Sequence, residues 1–218
     1  GCDVGGWELV VCADPAAAAR EAVRAVSSGH AALVMKGLVD TSVLLHEVLN
    51  AEYGLRTDRV LSHAAIFEVP GYPRLLTVTD AAMNIAPDLE TKRQIVVNAV
   101  ELLHAVGYTV PVVAALAAKE KVNPKMQATV DAAELVRLNR EGALNGCRVG
   151  GPFAMDNAIS VEAAHTKGIT DEAAGRADIL LAPTIEVGNV LYKTLAFLMG
   201  AESAGLILGA RAPIVLTS

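Results

Sequence analysis

Lys36, Gly37, Thr41 and Ser42 stand in the polar turn KGLVDTS (36–42), directly after the apolar run AALVM (31–35). A glycine lets backbone approach a ligand, hydroxyls can cap the next helix and a lysine supplies a point charge. Such a turn can hold an anion at a helix N-terminus. Ordinary capping at Thr41, with Lys36 solvated, accounts for the same residues. A second turn of this kind follows DILLAP (178–183), with Gly188-Asn189 expected to start a helix and Lys193 one turn in. Asp80 and Asn84 follow LLTVT, where Asp80 could orient a substrate group or cap the next turn. Ser62 and His63 lie inside an apolar run, where the histidine is expected half-buried with one satisfied hydrogen bond. GGPFAMDNAIS (150–160) sets Gly151 and Pro152 against an isolated carboxylate, Asp156, and an amide, Asn157. It suits either an N-cap, from Asp156 or Ser160, or the backbone-lined wall of a cleft. The sequence closes on PIVLTS, so Thr217 and Ser218 fall where a buried strand would emerge, the edge at which open α/β sheets bind ligands.

Familiar signatures are absent. There is no GxxxxGK[ST] and no GxGxxG after a strand, His46-Glu47 does not continue to HExxH, and GxSxG does not occur. The five histidines are scattered, so no metal site is expected. Cys2, Cys12 and Cys147 show no CxxC spacing, which argues against a disulfide framework and for a reducing cytoplasm. A net charge of −6 argues against nonspecific nucleic-acid binding, while local cations and backbone amides can still hold an anionic metabolite. No apolar run reaches the roughly 20 residues of a membrane span. The first residue is Gly rather than Met, which suggests a trimmed start.

The elements that must position these residues alternate between helix and strand. Asp14-Pro15 opens an Ala-rich helix that Gly29 closes. RVLSHAAIFEV (59–69) and RLLTVTD (74–80) flank Pro70-Gly71-Tyr72-Pro73 as a strand–turn–strand pair. Helical spacing from Asp88 to Val106 precedes a strand at VPVVAAL (110–116), and Thr129–Glu141 is a further amphipathic helix. Ser160–Lys167 suits a short helix, DILLAP a strand, Gly188–Met199 a helix, and AGLILGA (204–210) and PIVLT strands. Continuous apolar strands separated by helices imply an α/β fold with a mostly parallel sheet covered on both faces. At 53% hydrophobic and 19% charged residues, the chain can build such a core.

Taken in order, KGLVDTS, GLRTDRVLSHAAIFEVP, LLTVTDAAMNIAPDLETK, EKVNPKMQATVDAAEL, GGPFAMDNAIS, DILLAPTIEVGNVLYK and GARAPIVLTS resemble the phosphate acetyltransferase/butyryltransferase family, nearest its butyryl branch. The resemblance implies two αβα domains with an interdomain cleft, similar to the isocitrate/isopropylmalate dehydrogenase architecture and usually dimeric. By that analogy residues 1–85 and 209–218 form the first domain and 86–208 the second. It implies short-chain acyl transfer between coenzyme A and inorganic phosphate through a direct ternary complex, with acyl-CoA, phosphate and acyl phosphate as partners. No tightly bound cofactor, nucleic acid or membrane is implied.

In the family a serine at the position of Ser218 is followed by an arginine that binds phosphate and, slightly beyond, an acid that acts as base toward the thiol. Here the sequence stops at Ser218, so an active site incomplete at that point is expected. Gly150 and Thr184 depart from the family pattern, in which an acid usually precedes Gly-Pro and an acidic or amide residue often follows Pro183. Three readings stay open: a butyryl-type transferase, an acetyl-type transferase or the transferase half of a hydratase fusion, and a coenzyme A- or anion-binding scaffold without turnover.

Overall fold

The computed structural model describes residues 5–216. Two compact units emerge: the described parts of Gly1–Asp58 with Ala210–Ser218, and Arg59–Gly209. Residues 59–85, expected with the first domain, fall in the larger unit under this division.

In the smaller unit, Asp14 caps α1 (Pro15–Ser27) by accepting from Ala17 N at 2.8 Å, with Pro15 at the first helical position. Helix α1 packs on α2 (Thr41–Val48) through Val23, Val26, Leu44 and Val48. Strand β1 (Val34–Lys36) pairs in parallel with β8 (Ile214–Leu216). Buried Glu47 accepts from the Tyr53 hydroxyl and sits 3.6 Å from the Arg20 guanidinium.

The larger unit is a three-layer sandwich. Its strands are β2 (Ser62–Glu68), β3 (Leu76–Thr79), β4 (Val112–Leu116), β5 (Arg148–Phe153), β6 (Ile179–Leu181) and β7 (Glu202–Leu208). They run in the order β7-β2-β3-β6-β4-β5. Successive side chains face opposite layers, as strand geometry requires. Val113, Ala115, Ile179 and Leu181 join Ile95, Leu103 and Leu135 from α3 (Leu89–Ala105) and α4 (Gln127–Arg140). Ala114, Leu116 and Leu180 instead join Phe67, Ala158, Ala164 and Leu195. The second layer holds α5 (Met155–Ile159), α6 (Val161–Thr166) and α7 (Ile185–Lys193), the last continuing into a π-helical turn, Thr194–Leu198.

The sheet is less parallel than the apolar runs suggest. β3, β6, β4 and β5 are mutually parallel, but β2 lies antiparallel to both β3 and β7. The turn at Pro70–Pro73 reverses the chain, so β2 enters the sheet upside down. The stretch 148–153, to which the sequence reading assigns no strand, is strand β5, because Val149, Gly150, Pro152 and Phe153 are buried beside β4. Helix α7 begins at Ile185 rather than Gly188, with Thr184 as its N-cap. Gly188 therefore lies inside the helix, where its N–H is already donated to Thr184 O at 3.1 Å.

Gly188 is the contact on which α7 meets β3. A Cβ at this position would lie 2.1 Å from the Asp80 carbonyl oxygen, which is backbone and cannot swing aside. Gly188→Ala is expected to lower stability by about 3 kcal/mol, read as a fall in urea midpoint with an unchanged slope. A midpoint equal to the parent's would show that the helix can ride outward at no cost.

Candidate active site

The parallel strands β3, β6, β4 and β5 end along one edge of the larger unit's sheet, and β2 starts there because it is antiparallel. This places Ser62 and His63, Asp80, and the 154–157 segment on a common edge, each by main-chain register. Gly151 and Pro152 lie just inside it, on β5, joined by a cis peptide bond. Gly151 has φ +140°, and a Cβ there would approach Ala115 O to 2.8 Å, so the strand runs flush against β4 only as glycine.

Asp80 organises the loop that leaves β3. It is 3% exposed, and its Oδ1 accepts from Ala82 N and Met83 N at 2.8 and 2.9 Å. Asn84 Nδ2 donates to its other oxygen at 2.6 Å and also to Leu61 O at 2.9 Å, tying the loop to the start of β2. The turn-capping role of Asp80 is thus filled. Asn189 is exposed and donates to Ala81 O at 3.3 Å, so α7 is fastened to the same loop. Lys193 is the last residue of α7 and lies 5.7 Å from the Tyr192 ring and 5.5 Å from the Phe197 ring.

His63 differs from expectation. It is 8% exposed rather than half-buried, and its Nδ1 has no hydrogen-bond partner among the described residues. Tyr192 packs edge-on against it at 5.8 Å. Burial pushes the imidazole below its ordinary range, and the nearby Asp80 carboxylate opposes that shift only in part. Ser62, fully buried, accepts from Asn98 Nδ2 at 2.9 Å.

Past β5, Asn157 is fully buried and donates through Nδ2 to Glu120 at 2.6 Å, while its Oδ1 has no partner among the described residues. Lys167 bridges Glu120 and Asp156 at 2.8 and 3.0 Å. Its ammonium holds both carboxyls below the usual carboxylate range, and they raise its own value in return. Asp156 is therefore no longer the isolated carboxylate of the sequence. Helix α6 takes Ser160 as its cap, the hydroxyl accepting from Ala163 N at 3.1 Å. Among the described residues, no three His, Cys, Asp or Glu side chains are grouped to hold a metal ion.

In the smaller unit, Lys36 ends β1 and donates to Gly37 O at 3.1 Å. Thr41 and Ser42 occupy the first two positions of α2, behind Asp40 at the cap position, so Thr41 is not itself the cap. Thr217 and Ser218 lie outside the described residues. Glu120, Lys167 and Tyr192 were not singled out from sequence. Lys167 and Glu120 are 47 positions apart, and only the strand order brings them together. The signal that could have flagged Glu120 is its place in a charged loop directly after the apolar run VPVVAAL.

Chemically, this edge offers glycine-lined backbone, neutral amides, a buried histidine and carboxylates already engaged by hydrogen-bond or ion-pair partners. That suits positioning a polar, anionic reactant rather than presenting a free charged nucleophile.

Comparison with known proteins agrees in kind. The model of the phosphate acetyl/butaryl transferase family matches residues 13–218. The phosphate butyryltransferase of Clostridium beijerinckii is 51% identical over 216 residues, which are 99% of this chain and 72% of that protein. A probable phosphate butyryltransferase of Bacillus subtilis is 55% identical over 211 residues, 97% of this chain and 71% of that one. The crystal structure of a branched-chain phosphotransacylase from Enterococcus faecalis V583 matches with a TM-score of 0.90 at 42% identity, covering 97% of this chain and 76% of its own.

His63 makes stability depend on pH in a definite direction. Its folded pKa is below the ordinary 6.5, so between those values the unfolded chain binds more protons than the folded one. Stability is therefore full above 6.5 and declines as pH falls below it. The slope is at most about 1.4 kcal/mol per pH unit. Carboxylates with lowered values, such as Glu120 and Asp156, act only in a more acidic window. Urea unfolding at about pH 7.5 and 5.5 should show the decline in the parent and a flatter profile in His63→Phe. Equal slopes in both would remove His63 as the cause.

Proposed function

The chain belongs to the phosphate acetyl/butaryl transferase family, and on that premise we propose that it transfers a short acyl group between coenzyme A and inorganic phosphate. The reaction is butyryl-CoA plus phosphate giving butyryl phosphate plus coenzyme A, in either direction. The observation that carries this reading is the identity of about half, over nearly all of this chain, to phosphate butyryltransferases of which it spans about seven-tenths, together with a fold match at TM-score 0.90 to a branched-chain phosphotransacylase.

The chemistry is a direct displacement with both substrates bound. A phosphate oxygen attacks the thioester carbonyl carbon, the new C–O bond forms, the C–S bond breaks, and the departing thiolate takes up a proton. Such a step needs an oxyanion stabilised where charge develops and two reactants held in register. In this proposal Ser218 is the hydrogen-bond donor near the reacting carbonyl. The substrate-binding set comprises Lys36, Gly37, Thr41 and Ser42 in the smaller unit and the carboxyl-edge residues of the larger one: Ser62, His63, Asp80, Gly151, Pro152, Asp156, Asn157, Gly188, Asn189 and Lys193. Gly188 acts through shape: it lets α7 approach Asp80, and its own N–H is spent within the helix. The two αβα domains with a cleft, a homodimeric or higher state, and a cytoplasmic setting without a tightly bound cofactor belong to the same reading.

Free thiol should be released from butyryl-CoA by the full-length protein only when phosphate is present. The butyryl rate should exceed the acetyl rate, within the ~1–3 kcal/mol per methylene that an apolar pocket can discriminate. Absence of phosphate-dependent release overturns the function, and a faster acetyl rate reassigns the acyl group. Ser218→Ala should lower kcat on the order of 100-fold while leaving the KM for phosphate little changed. Unchanged turnover would remove Ser218 from the reaction.

A further inference from the structure

Two stretches of the larger unit's carboxyl edge meet on a single ammonium. Glu120 lies in the loop between β4 and α4, and Asp156 and Asn157 lie in the first turn of α5, close behind β5. Lys167, the C-cap residue of α6, donates through Nζ to Glu120 at 2.8 Å and sits 3.0 Å from Asp156 Oδ2. Each carboxylate has its own local reason to be there. The buried Asn157 amide needs an acceptor for Nδ2 and finds Glu120 Oε1 at 2.6 Å. Asp156 Oδ1 accepts from the Asn157 main-chain N–H at 2.9 Å, in a helical first turn, where negative charge is favoured. Both arrangements bring negative charge to the edge. The Lys167 ammonium holds both carboxyls below the usual carboxylate range, so they stay ionised at neutral pH.

Stability does not account for this lysine. Its side chain is 43% exposed and that of Asp156 52%, and ion pairs between such groups contribute little. Charge does account for it. Two carboxylates and one ammonium leave the cluster with a single negative charge, and without the ammonium it would carry two. The reactants of the proposed reaction are anions, and uncompensated carboxylates beside a bound anion oppose its binding. We propose that Lys167 is a positioning residue of the site: it offsets Glu120 and Asp156 so that an anionic reactant can occupy the carboxyl edge, while Glu120 keeps hold of the Asn157 amide. Lys167 acts through the two carboxylates and touches no reacting atom. This rests on the acyl-transfer reading above, with phosphate as the anion.

The test compares the full-length parent with Lys167→Met, Lys167→Arg and the double variant Glu120→Gln with Lys167→Met. Each is measured by steady-state kinetics and by calorimetry with inorganic phosphate as the probe. Lys167→Met should raise the KM for phosphate and weaken phosphate binding about tenfold, with kcat little changed. The penalty should shrink as sodium chloride is raised. Lys167→Arg keeps the charge and should match the parent. The double variant restores the parent's cluster charge, and its Gln still offers Asn157 Nδ2 an oxygen, so it should recover most of the loss although the ion pair is gone. A lysine that merely braces the fold would give a loss that is equal at every salt concentration and persists in the double variant. That outcome overturns the proposal, as do KM and affinity equal to the parent's in Lys167→Met; in a parent that transfers acyl groups, either leaves the transferase reading standing. Phosphate binding that follows the expected order in a protein without acyl transfer keeps the role of Lys167 and removes the transferase reading instead. A parent that neither binds phosphate nor turns over removes both.

Discussion

The larger unit depends on how one buried carboxylate is satisfied. Asp80 is almost sealed from water at the end of β3, where an unpartnered carboxylate would be costly. Two backbone N–H groups of its own loop and the Asn84 amide bind its oxygens. The same Asn84 reaches Leu61 O, so the start of β2 is fixed by the group that satisfies Asp80. On the other side, Gly188 brings α7 onto the Asp80 carbonyl, and Asn189 bonds to Ala81 O. One loop thereby sets the positions of a neighbouring strand and a helix.

The electrostatics of the rest of the edge follow a common pattern, in which charge is neutralised in place. Lys167 draws Glu120 and Asp156 together, and Glu120 in turn holds the buried Asn157 amide. Lys92 and Asp131 pair at 2.5 Å with both side chains buried, and Gln127 donates to the remaining Asp131 oxygen at 2.7 Å. A buried pair of this kind contributes little net stability but is strongly destabilising to break, so it specifies how α3 and α4 meet. Against that background Lys193, at the end of α7, enters none of the ion pairs among the described residues and lies instead 5.7 and 5.5 Å from the Tyr192 and Phe197 rings.

Much of the architecture was legible from local pattern. Helical spacing located α3, and its start at Asp88 is confirmed by the carboxylate accepting from Thr91 N at 2.8 Å. Asp14-Pro15 marked the start of α1 for the same reason, since an N-cap interaction lies within one turn of chain. The Pro-Gly-Tyr-Pro turn marked a chain reversal, and β2 and β3 are indeed antiparallel. Less legible were elements decided by neighbours. Strand β5 carries two glycines and a proline, a poor strand composition, and forms because β4 offers it a parallel partner. Helix α7 was placed too late because Thr184 and Ile185 carry a weak start signal, while Gly188 resembled a boundary and is in fact a packing contact.

The sequence by itself determined the α/β class, most element positions and the membership of the chain in an acyltransferase family. These follow from apolar periodicity, caps and ordered motifs, all of which act over a few residues. Only the tertiary structure decided that, among the described residues, the buried His63 Nδ1 has no partner, that Asp156 is answered by Lys167, and that Glu120 is engaged by both Lys167 and the buried Asn157. Each of those outcomes depends on which distant group arrives beside a side chain. Strand order and direction settle that, and local sequence preference does not encode it.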